Sequence, residues 1–300
     1  MKKKIPRRAF LKKTLKFGLV ALVSGTGLHY YAHQIETRLL QVTNHTIKHP
    51  LIPSGFDGVK IVQFSDTHLG FQYSIKQFTK LLETINNLQP DIILFTGDLM
   101  DEPNKYSHHN QISQVLSQLK APLGKFCIFG NHDHGGYGSN IYHSIMAQAN
   151  FIILKNEVTQ VKLLDGSFIN IIGIDDAMLG KPRLDMAITD VPQDSFKILL
   201  SHEPELAAEA FTYGVHLQLS GHSHGGQIKI PFWGALVTPP FADKYTEGFY
   251  YITNSSHSLI LYVNRGIGTT RLPFRFLAQP ELTVFNLAVD FRSNKNVNIR

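Results

Sequence analysis

Two histidines one residue apart, His222 and His224, lie in the segment LSGHSHGGQ, which spans residues 219–227. In an extended segment, residues i and i+2 point to the same face and lie about 6.6 Å apart. This spacing suits two imidazoles that bind neighbouring metal ions, because the ions of two-metal hydrolytic sites lie ~3.5–4 Å apart. Taken alone, the pattern is more often a polar turn with two solvated histidines. The other histidines and carboxylates of the chain must decide between the two interpretations.

Polar side chains that can bind metal ions follow four other apolar segments. They are Asp66 and His68, Asp98 and Asp101, Asn131 with His132 and Asp133, and His202. In α/β proteins, functional residues gather in the loops beyond the carboxyl ends of strands. Oxygen and imidazole donors suit Mn²⁺, iron or Zn²⁺, and a chain with a single cysteine cannot form a thiolate cage. The sequence therefore predicts a metal site assembled from five strand ends.

Apolar segments alternate with amphipathic ones in the first half of the chain. Strands are predicted over residues 59–65, 91–97 and 125–130, and helices over 75–88 and 112–119. Later strands are predicted over 158–164, 168–173, 197–201, 216–220, 258–264 and 281–287. The dipeptide Asp165-Gly166 between the first two of these is a hairpin signal. Strands that alternate with helices indicate an α/β domain whose sheets are covered by helices.

The N-terminal residues have the layout of an export signal. Residues 1–16 contain eight lysines and arginines and no acid, and an apolar segment follows over 17–28. The segment PRRAFLK at 6–12 resembles a twin-arginine signal, which predicts the twin-arginine translocation machinery as a partner. Twelve apolar residues are short for a membrane span of ~20, and no clean cleavage site follows. A cleaved signal and a retained membrane anchor therefore both remain open.

The charge distribution bears on location and on partners. The positive-inside rule predicts a body on the extracytoplasmic side of the cytoplasmic membrane, periplasmic or facing the cell wall, and released if the signal is cleaved. Removing the eight cations of residues 1–16 from the total of 29 leaves 21 basic residues against 23 acidic ones. Because a nucleic-acid-binding protein should carry its basic excess on the folded body, no nucleic-acid partner is expected.

Five motifs occur in a fixed order between Asp66 and His224: D-x-H, G-D-x-x-D, G-N-H-D, a lone histidine at a strand end, and G-H-x-H. Together they resemble the calcineurin-like metallophosphoesterase superfamily. The section from Gly225 to Gly268 further resembles bacterial membrane-associated phosphodiesterases with twin-arginine signals. The implied fold is an α/β sandwich of two mixed β-sheets flanked by helices, in the layer order α-β-β-α.

The resemblance also implies roles for the motif residues. It implies seven ligands for two divalent ions, which can be Mn, Fe or Zn. One ion is expected at Asp66, His68 and His224, and the other at Asn131, His202 and His222. Asp98 is expected to bridge both. His132 is expected to protonate the leaving oxygen or to stabilise charge there. Asp101 is expected to set the tautomer of His132, and Asp133 to support the site from behind.

The function implied by the resemblance is a dinuclear metal-dependent phosphoesterase that hydrolyses a phosphodiester or pyrophosphate bond by attack of a metal-bridging hydroxide. A lipid or envelope precursor such as UDP-2,3-diacylglucosamine is the expected substrate class, because the N-terminal segment would hold the body near a membrane. Two alternatives remain: a phosphomonoesterase, and a catalytically silent metal-binding scaffold on the same fold. The scaffold is the weaker one, since the chain keeps His132 and every expected ligand.

The expected domain organisation has four parts. A twin-arginine-type signal or membrane anchor covers 1–35, a connecting segment 36–57, a catalytic domain 58–290 and a polar tail 291–300. Three polar residues near the motifs are interpreted as loop residues rather than ligands: His134, Asp175 and Asp176. Four aromatic residues, Tyr245, Phe249, Tyr250 and Tyr251, are interpreted as strand core rather than as a lipid-facing patch.

Overall fold

Two six-stranded sheets contain most strands of the computed structural model, which describes residues 24–134 and 138–290. The first sheet contains β1 (Gln41–His49), β2 (Lys60–Phe64), β3 (Ile92–Phe95), β4 (Gly124–Cys127), β5 (Ile152–Ile153) and β14 (Glu281–Val289). The second contains β6 (Glu157–Lys162), β7 (Phe168–Gly173), β8 (Lys197–Leu200), β9 (Leu217–Ser220), β12 (Gly248–Thr253) and β13 (Ser258–Val263). A separate hairpin is formed by β10 (Lys229–Ile230) and β11 (Gly234–Ala235).

Both sheets are mixed. The first has the strand order β1-β14-β2-β3-β4-β5, in which β2, β3 and β4 run parallel and β14 runs antiparallel to β2. The second has the order β12-β13-β9-β8-β7-β6, with the four inner strands parallel and β6 and β12 antiparallel at its two edges. Within each sheet, the parallel strands therefore end in loops at the same side.

Helices cover the outer faces of the sheets. They are α1 (Ile75–Asn87), α2 (His109–Leu116), α4 (Ser139–Gln148), α5 (Leu184–Ala187) and α6 (Ala207–Thr212), whereas the short helix α3 (Asn131–His134) lies in the loop after β4. Helix α1 begins at a capping box formed by Ser74 and Gln77. Helical residues 24–30 continue into a π-helix at Tyr31–Ile35, and 3-10 turns cover Glu36–Arg38, Ser54–Phe56, Pro204–Leu206 and His224–Gly226.

The alternation of side chains along the strands buries both faces of each sheet. In β2, Ile61 belongs to the core between the two sheets, whereas Val62 packs in the core under α1, α2 and α4. In β8, Ile198 faces the same central core and Leu199 packs in the core that α5 and α6 cover. This layering confirms the predicted α/β sandwich.

The structure corrects the connecting segment that was predicted over 36–57. Residues Gln41–His49 form β1, which pairs in parallel with β14 from Gln41 opposite Glu281 to His49 opposite Val289. Among the β1 side chains only Ile47 is buried. This edge strand therefore lacks the apolar pattern by which strands are recognised, and the folded body begins before residue 58.

Part of the predicted signal or anchor also packs on the body. Ala32 O accepts a hydrogen bond from Arg275 N at 3.0 Å, and Glu36 Oε1 accepts one from Ala278 N at 2.7 Å. Residues 1–23 of that segment, and the polar tail predicted over 291–300, lie outside the described residues. Among residues 24–134 and 138–290, no helix combines the length and apolar character needed to cross a bilayer.

Candidate functional site

The loops that follow five parallel strands meet at one place between the two sheets. Asp66 and His68 follow β2, Asp98 follows β3, and α3 begins the loop after β4. Main-chain hydrogen bonds join neighbouring loops: Asp66 N donates to Gly97 O at 2.9 Å, and His68 N to Asp98 O at 3.2 Å. In the second sheet, Gly221 N after β9 donates to the carbonyl of His202 after β8 at 3.1 Å. The predicted strand-end residues are therefore brought together.

The backbone of the site is left-handed at five non-glycine residues: Asp66 (φ 53°), His68 (φ 43°), Asp98 (φ 60°), His222 (φ 68°) and His224 (φ 52°). Such conformations cost of order 1–3 kcal/mol each and persist where the surrounding structure imposes them. The extended geometry expected for His222 and His224 is therefore wrong. The left-handed turn sends the two imidazoles to different groups of ligands.

One glycine is required by close approach of the backbone. Gly97 has φ 99°, and a Cβ there would lie 2.7 Å from both Gly130 N and His202 Nδ1. This position precedes Asp98, so a side chain at residue 97 would push β3 away from the loops after β4 and β8.

Two groups of three side chains can each hold a metal ion. In each group the candidate ligand atoms lie within 4.8 Å of one another. The first group is Asp66, His68 and His224, and the second is Asp98, His202 and His222. Asp98 also forms a third group with His68 and His132, so that it connects the other two.

Asn131 belongs beside the second group. Its side chain lines the same cavity as Asp98 and His222. Its Oδ1 is buried and has no hydrogen-bond partner among the described residues. A buried polar atom left unpaired costs about 1–3 kcal/mol, and a cation would supply the missing partner. The oxygen and imidazole donors that converge here fit divalent metal ions.

Contacts behind the ligands fix which imidazole nitrogen faces the site. His202 Nδ1 lies 2.6 Å from Thr96 O, which leaves Nε2 near the Asp98 carboxylate. His222 Nε2 lies 2.9 Å from Pro240 O, which leaves its Nδ1 for a ligand role. The ring orientations are thus set by main-chain carbonyls.

Asp133 supports the site from behind, as the sequence indicated. Its carboxylate accepts hydrogen bonds from the main-chain N–H groups of Asp98, Leu99 and Gly130 at 2.8–3.0 Å. Burial, followed by the charge of Asp98, raises the pKa of Asp133 to about 7. The carboxylate therefore holds the loop after β3 against the loop after β4.

Burial and neighbouring charges shift the pKa values of the proposed ligand side chains. Burial alone would raise the pKa of Asp98, but the surrounding imidazoles, His202 first, hold it well below its usual range. Burial, then repulsion from His202, lowers the pKa of His222 to about 4. Burial, then His68 and Arg275, lowers the pKa of His224 as well. Burial raises the pKa of Asp66, whereas the Asp98 carboxylate outweighs burial and raises the pKa of His202. The shifts at Asp98, His222 and His224 favour the ionised carboxylate and neutral imidazoles that bind metals.

His132 lies at the cavity wall beside the ligands. Its main-chain N donates to Asp98 Oδ1 at 2.8 Å, and its ring Nδ1 lies 2.7 Å from the main-chain carbonyl of Asp101. Burial by itself lowers the pKa of His132, but the Asp98 carboxylate and the Asp101 main chain outweigh it and raise that pKa.

The Asp101 carboxylate does not occupy the position that was expected of it. Its Oδ1 lies 3.1 Å from His68 Nδ1 and accepts a hydrogen bond from Thr270 Oγ1 at 2.9 Å, whereas His132 Nδ1 is 3.7 Å away. The main chain of Asp101 therefore orients His132, and its side chain orients His68.

Two buried residues near the site were not singled out by the sequence. The Arg275 guanidinium donates to the carbonyls of Gly268, Ala278 and Arg265, and its Nη2 lies 3.4 Å from His224 Nδ1. Burial lowers its pKa to about 10. The only sequence signal for it was a cation within the apolar run LPFRF at 272–276.

The second is Glu203, which follows His202. Its Oε2 accepts a hydrogen bond from Ala177 N at 3.0 Å. Burial, and then a hydrogen bond to Asp176, raises the pKa of Glu203 to about 9. Through its hydrogen bond with Ala177, Glu203 joins the loops after β7 and β8.

His134, at the end of α3, and Asp175 and Asp176, in the loop after β7, form contacts among the loops near the site. His134 Nε2 lies 2.7 Å from Asp175 Oδ1, and Asp175 Oδ2 accepts from Lys181 N at 2.9 Å. Asp176 Oδ2 accepts from Leu179 N at 2.5 Å. None of the three belongs to the metal-binding groups found among the described residues.

The ligand groups open into a cavity of about 230 Å³. Polar site residues line part of it, here called the polar wall: Asp98, Asn131, His132, His222 and His224. Apolar side chains line another part, here called the apolar wall: Met178, Ile228, Leu236, Val237, Pro239 and Leu272. The site can therefore place a polar, anionic group at the ligands and an apolar group beside it.

Comparison with known proteins places this geometry in a family. The family model for calcineurin-like phosphoesterase matches residues 59–226. Among relatives, the Bacillus subtilis (strain 168) metallophosphoesterase YkuE is 49% identical over 288 residues, covering 95% of this chain and 98% of YkuE. An Aquifex aeolicus (strain VF5) metallophosphoesterase is 30% identical, covering 86% of this chain and 95% of the relative.

A relative whose name states a substrate is also similar. The UDP-2,3-diacylglucosamine pyrophosphatase LpxG of Chlamydia trachomatis serovar D is 29% identical over 307 residues, covering 84% of this chain and 90% of LpxG. The motif order, the converging ligands and these matches agree. The chain belongs to the calcineurin-like phosphoesterase family and is a metal-dependent phosphoester hydrolase.

Proposed function

We propose that the protein is a dinuclear phosphohydrolase that cleaves a phosphodiester or pyrophosphate bond in a lipid-linked envelope precursor. The observation that carries the proposal is the position of Asp98. Its Oδ2 lies 3.5 Å from His68 Nε2 in one ligand group and 3.3 Å from His202 Nε2 in the other. A carboxylate shared in this way lowers the repulsion between two neighbouring dications, which supports a site for two ions.

Seven side chains would hold the two ions. Asp66, His68 and His224 would hold the first ion. Asn131, His202 and His222 would hold the second, and Asp98 would be shared between them. Mn²⁺, iron or Zn²⁺ suits these donors. Such ions supply Lewis acidity toward phosphoryl oxygens and lower the pKa of water toward about 7.

His132 is the residue that moves a proton in the proposed reaction. Its Nδ1 is held by the main-chain carbonyl of Asp101, so Nε2 is the nitrogen that can serve a substrate. Because His132 lines the cavity next to Asp98 and Asn131, it can protonate the leaving oxygen. General acid catalysis of this kind contributes typically about 10²–10⁴-fold.

The cavity supports a lipid-linked substrate. Its polar wall suits a phosphodiester or diphosphate, while its apolar wall suits an acyl chain or another hydrocarbon group. LpxG, by its name, acts on UDP-2,3-diacylglucosamine, a molecule with both parts. We infer that UDP-2,3-diacylglucosamine or a similar lipid-linked precursor is the substrate of this protein.

The proposed location follows from the N-terminal residues. The basic residues of 1–16 and the apolar segment over 17–28 support export by the twin-arginine machinery and a position at the extracytoplasmic face of the cytoplasmic membrane. That position would bring the cavity close to lipid substrates.

A substrate comparison tests the function. The metal-loaded protein is assayed with bis(p-nitrophenyl) phosphate, p-nitrophenyl phosphate, UDP-2,3-diacylglucosamine and the same nucleotide sugar without acyl chains. We expect metal-dependent turnover, preference for the diester over the monoester, and a lower KM for the acylated nucleotide sugar. His132→Ala should reduce turnover, whereas His143→Ala, at an exposed histidine of α4, should not.

Three outcomes contradict parts of the proposal. Preference for the monoester would make the protein a phosphomonoesterase. Equal KM values with and without acyl chains would exclude the apolar wall from substrate binding. Absence of metal-dependent turnover in the folded protein would support the silent scaffold.

A further inference from the structure

The β10–β11 hairpin exposes large apolar side chains beside the cavity. Phe232 and Trp233 at its tip are 112% and 84% exposed, and Ile230, Leu236 and Val237 are at least 45% exposed. We call these five residues the hairpin patch. Soluble proteins rarely expose a contiguous apolar surface of this kind, and such patches mark sites of interaction with a protein, a ligand or a membrane.

The composition of the hairpin patch favours a membrane. Tryptophan is enriched where membranes meet water, because its ring is apolar and its N–H is polar. The tip places Trp233 next to Phe232 on a short, projecting turn, with Trp233 N donating to Ile230 O at 3.0 Å. A narrow tip of this shape suits insertion among lipid headgroups better than a flat protein interface.

The hairpin is joined to the segment that follows the apolar N-terminal residues. Phe276 N donates to Gln227 O, and Lys229 N donates to Phe276 O, both at 2.9 Å. The ring of Phe276 contacts Tyr31 edge-on, with centroids 6.4 Å apart, and the neighbouring Phe274 contacts His29 at 5.1 Å. Residues 29–31, which directly follow the apolar segment over 17–28, therefore lie on the same side of the body as the hairpin.

The hairpin patch is also continuous with the cavity. Leu236 and Val237 belong to both, and the exposed Arg271 lines the cavity as well. A cation at the rim of an apolar surface can meet anionic lipid headgroups. A bilayer into which the hairpin patch is inserted would therefore lie next to the opening of the cavity that contains His132 and Asp98.

We propose that the hairpin patch inserts into the interface of a lipid bilayer and thereby turns the cavity toward the membrane surface. The insertion itself does not depend on the reaction, whereas the delivery of a lipid-linked substrate to the cavity rests on the proposed function.

The protein carries its own probe for this proposal, because Trp233 is the single tryptophan of the chain. The full chain is reconstituted into phosphatidylcholine–phosphatidylglycerol vesicles, with and without brominated acyl chains. We expect the emission maximum of Trp233 to lie at a shorter wavelength than in the denatured protein without detergent. We also expect brominated lipid to quench this emission, and aqueous acrylamide to quench it only weakly. These readouts need no catalysis, so they remain informative if the proposed function fails.

Two variants provide the comparison. Phe232→Asp keeps Trp233 but should reduce quenching by brominated lipid and restore access to acrylamide. Leu164→Asp introduces the same charge at a side chain that is 110% exposed on the turn between β6 and β7, and should leave both signals as in the parent chain. Neither residue packs in the core, so thermal unfolding should be the same for all three proteins.

The proposal would be overturned if, in vesicles that contain the protein, the emission of Trp233 stayed at long wavelength and acrylamide still quenched it. Protection of Trp233 that rises with protein concentration in the absence of lipid would also overturn it, since a second copy of the chain would then cover the hairpin patch. Equal quenching in the Phe232→Asp and parent proteins would show that the hairpin is not the inserted element.

Discussion

Asp101 holds His68 through its carboxylate, with Oδ1 3.1 Å from His68 Nδ1. Because the same residue hydrogen-bonds His132 through its main-chain carbonyl, with its carboxylate 3.7 Å from His132 Nδ1, we expect mutation to separate the two functions of Asp101. A change of its side chain acts on a metal ligand and leaves the hydrogen bond to His132 in place.

Asp101→Asn should therefore weaken metal binding more than the chemical step. Loss of a carboxylate behind a ligating histidine typically costs about 10–100-fold in metal affinity or activity. We expect the Mn²⁺ concentration for half-maximal activity to rise by this order, with kcat at saturating Mn²⁺ changing little. Titration of activity against Mn²⁺ measures both quantities. The control is Asp185→Asn, at an exposed aspartate that pairs with Arg183. A fall in kcat of Asp101→Asn without a change in its metal requirement would show that the carboxylate acts on His132.

His132→Ala should lower kcat by about 10²–10⁴-fold, because the leaving oxygen loses its proton donor. The loss should be smaller for diesters with acidic leaving groups, which need less protonation, and larger for alkyl leaving groups. Metal content measured by elemental analysis should stay that of the parent, since His132 is not among the proposed ligands. A loss of the same size for every leaving group would contradict the proton-donor role.

Removal of metal should destabilise the folded state. The buried Oδ1 of Asn131, which has no partner among the described residues, gains one when a cation is bound. A ligand at 100 times its Kd stabilises a protein by about 2.7 kcal/mol. Thermal unfolding with Mn²⁺ and with a chelator should thus differ by several degrees, and Asn131→Ala should shrink that difference. Identical melting curves with and without metal would contradict the ligand assignment.

Stability should also fall in mild acid through a histidine far from the metal ligands. Burial, then the cations and histidines around it, Lys197, His49 and His257, lower the pKa of His216 to about 3. The unfolded state, with an ordinary histidine pKa of about 6.5, binds a proton that the folded state does not bind between these values. The contribution of His216 to the free energy of unfolding is therefore fully present above pH 6.5. It decreases as the pH falls toward 3, by up to about 1.4 kcal/mol for each pH unit.

Urea unfolding between pH 7 and pH 4.5 measures this dependence. His216→Gln should unfold with a shallower pH slope than the parent chain, and His108→Gln, at an exposed histidine, should keep the parent slope. Parallel slopes for all three proteins would show that His216 is protonated in the folded state.

The sequence predicted the strand ends well because each motif is local. A run such as ILFTGD combines a strand with its terminal carboxylate, Asp98, so the fold class and the convergence of ligands followed from order and alternation. The turn at His222 and His224 could not be predicted in the same way. Its left-handed backbone is imposed by contacts with other loops, such as the hydrogen bond from His222 N to Asp66 at 3.1 Å.

Contacts between side chains that are distant in sequence could not be predicted either. Nothing in the spacing of Asp101 and His132 shows that the carboxylate turns to His68 instead. Arg275 was missed because a buried cation that binds main-chain carbonyls has no sequence pattern. The exposed hairpin tip at Phe232 and Trp233 was not predicted from the sequence either.

Strand β1 has a practical consequence for any shortened form of the protein. A chain that starts at residue 50 or later would replace the polar edge strand β1 with β14, whose side chains are mostly buried. A long apolar strand at the edge of a sheet invites pairing with other molecules, so such a truncation should self-associate. Soluble preparations for enzymology need to retain residues 41–49.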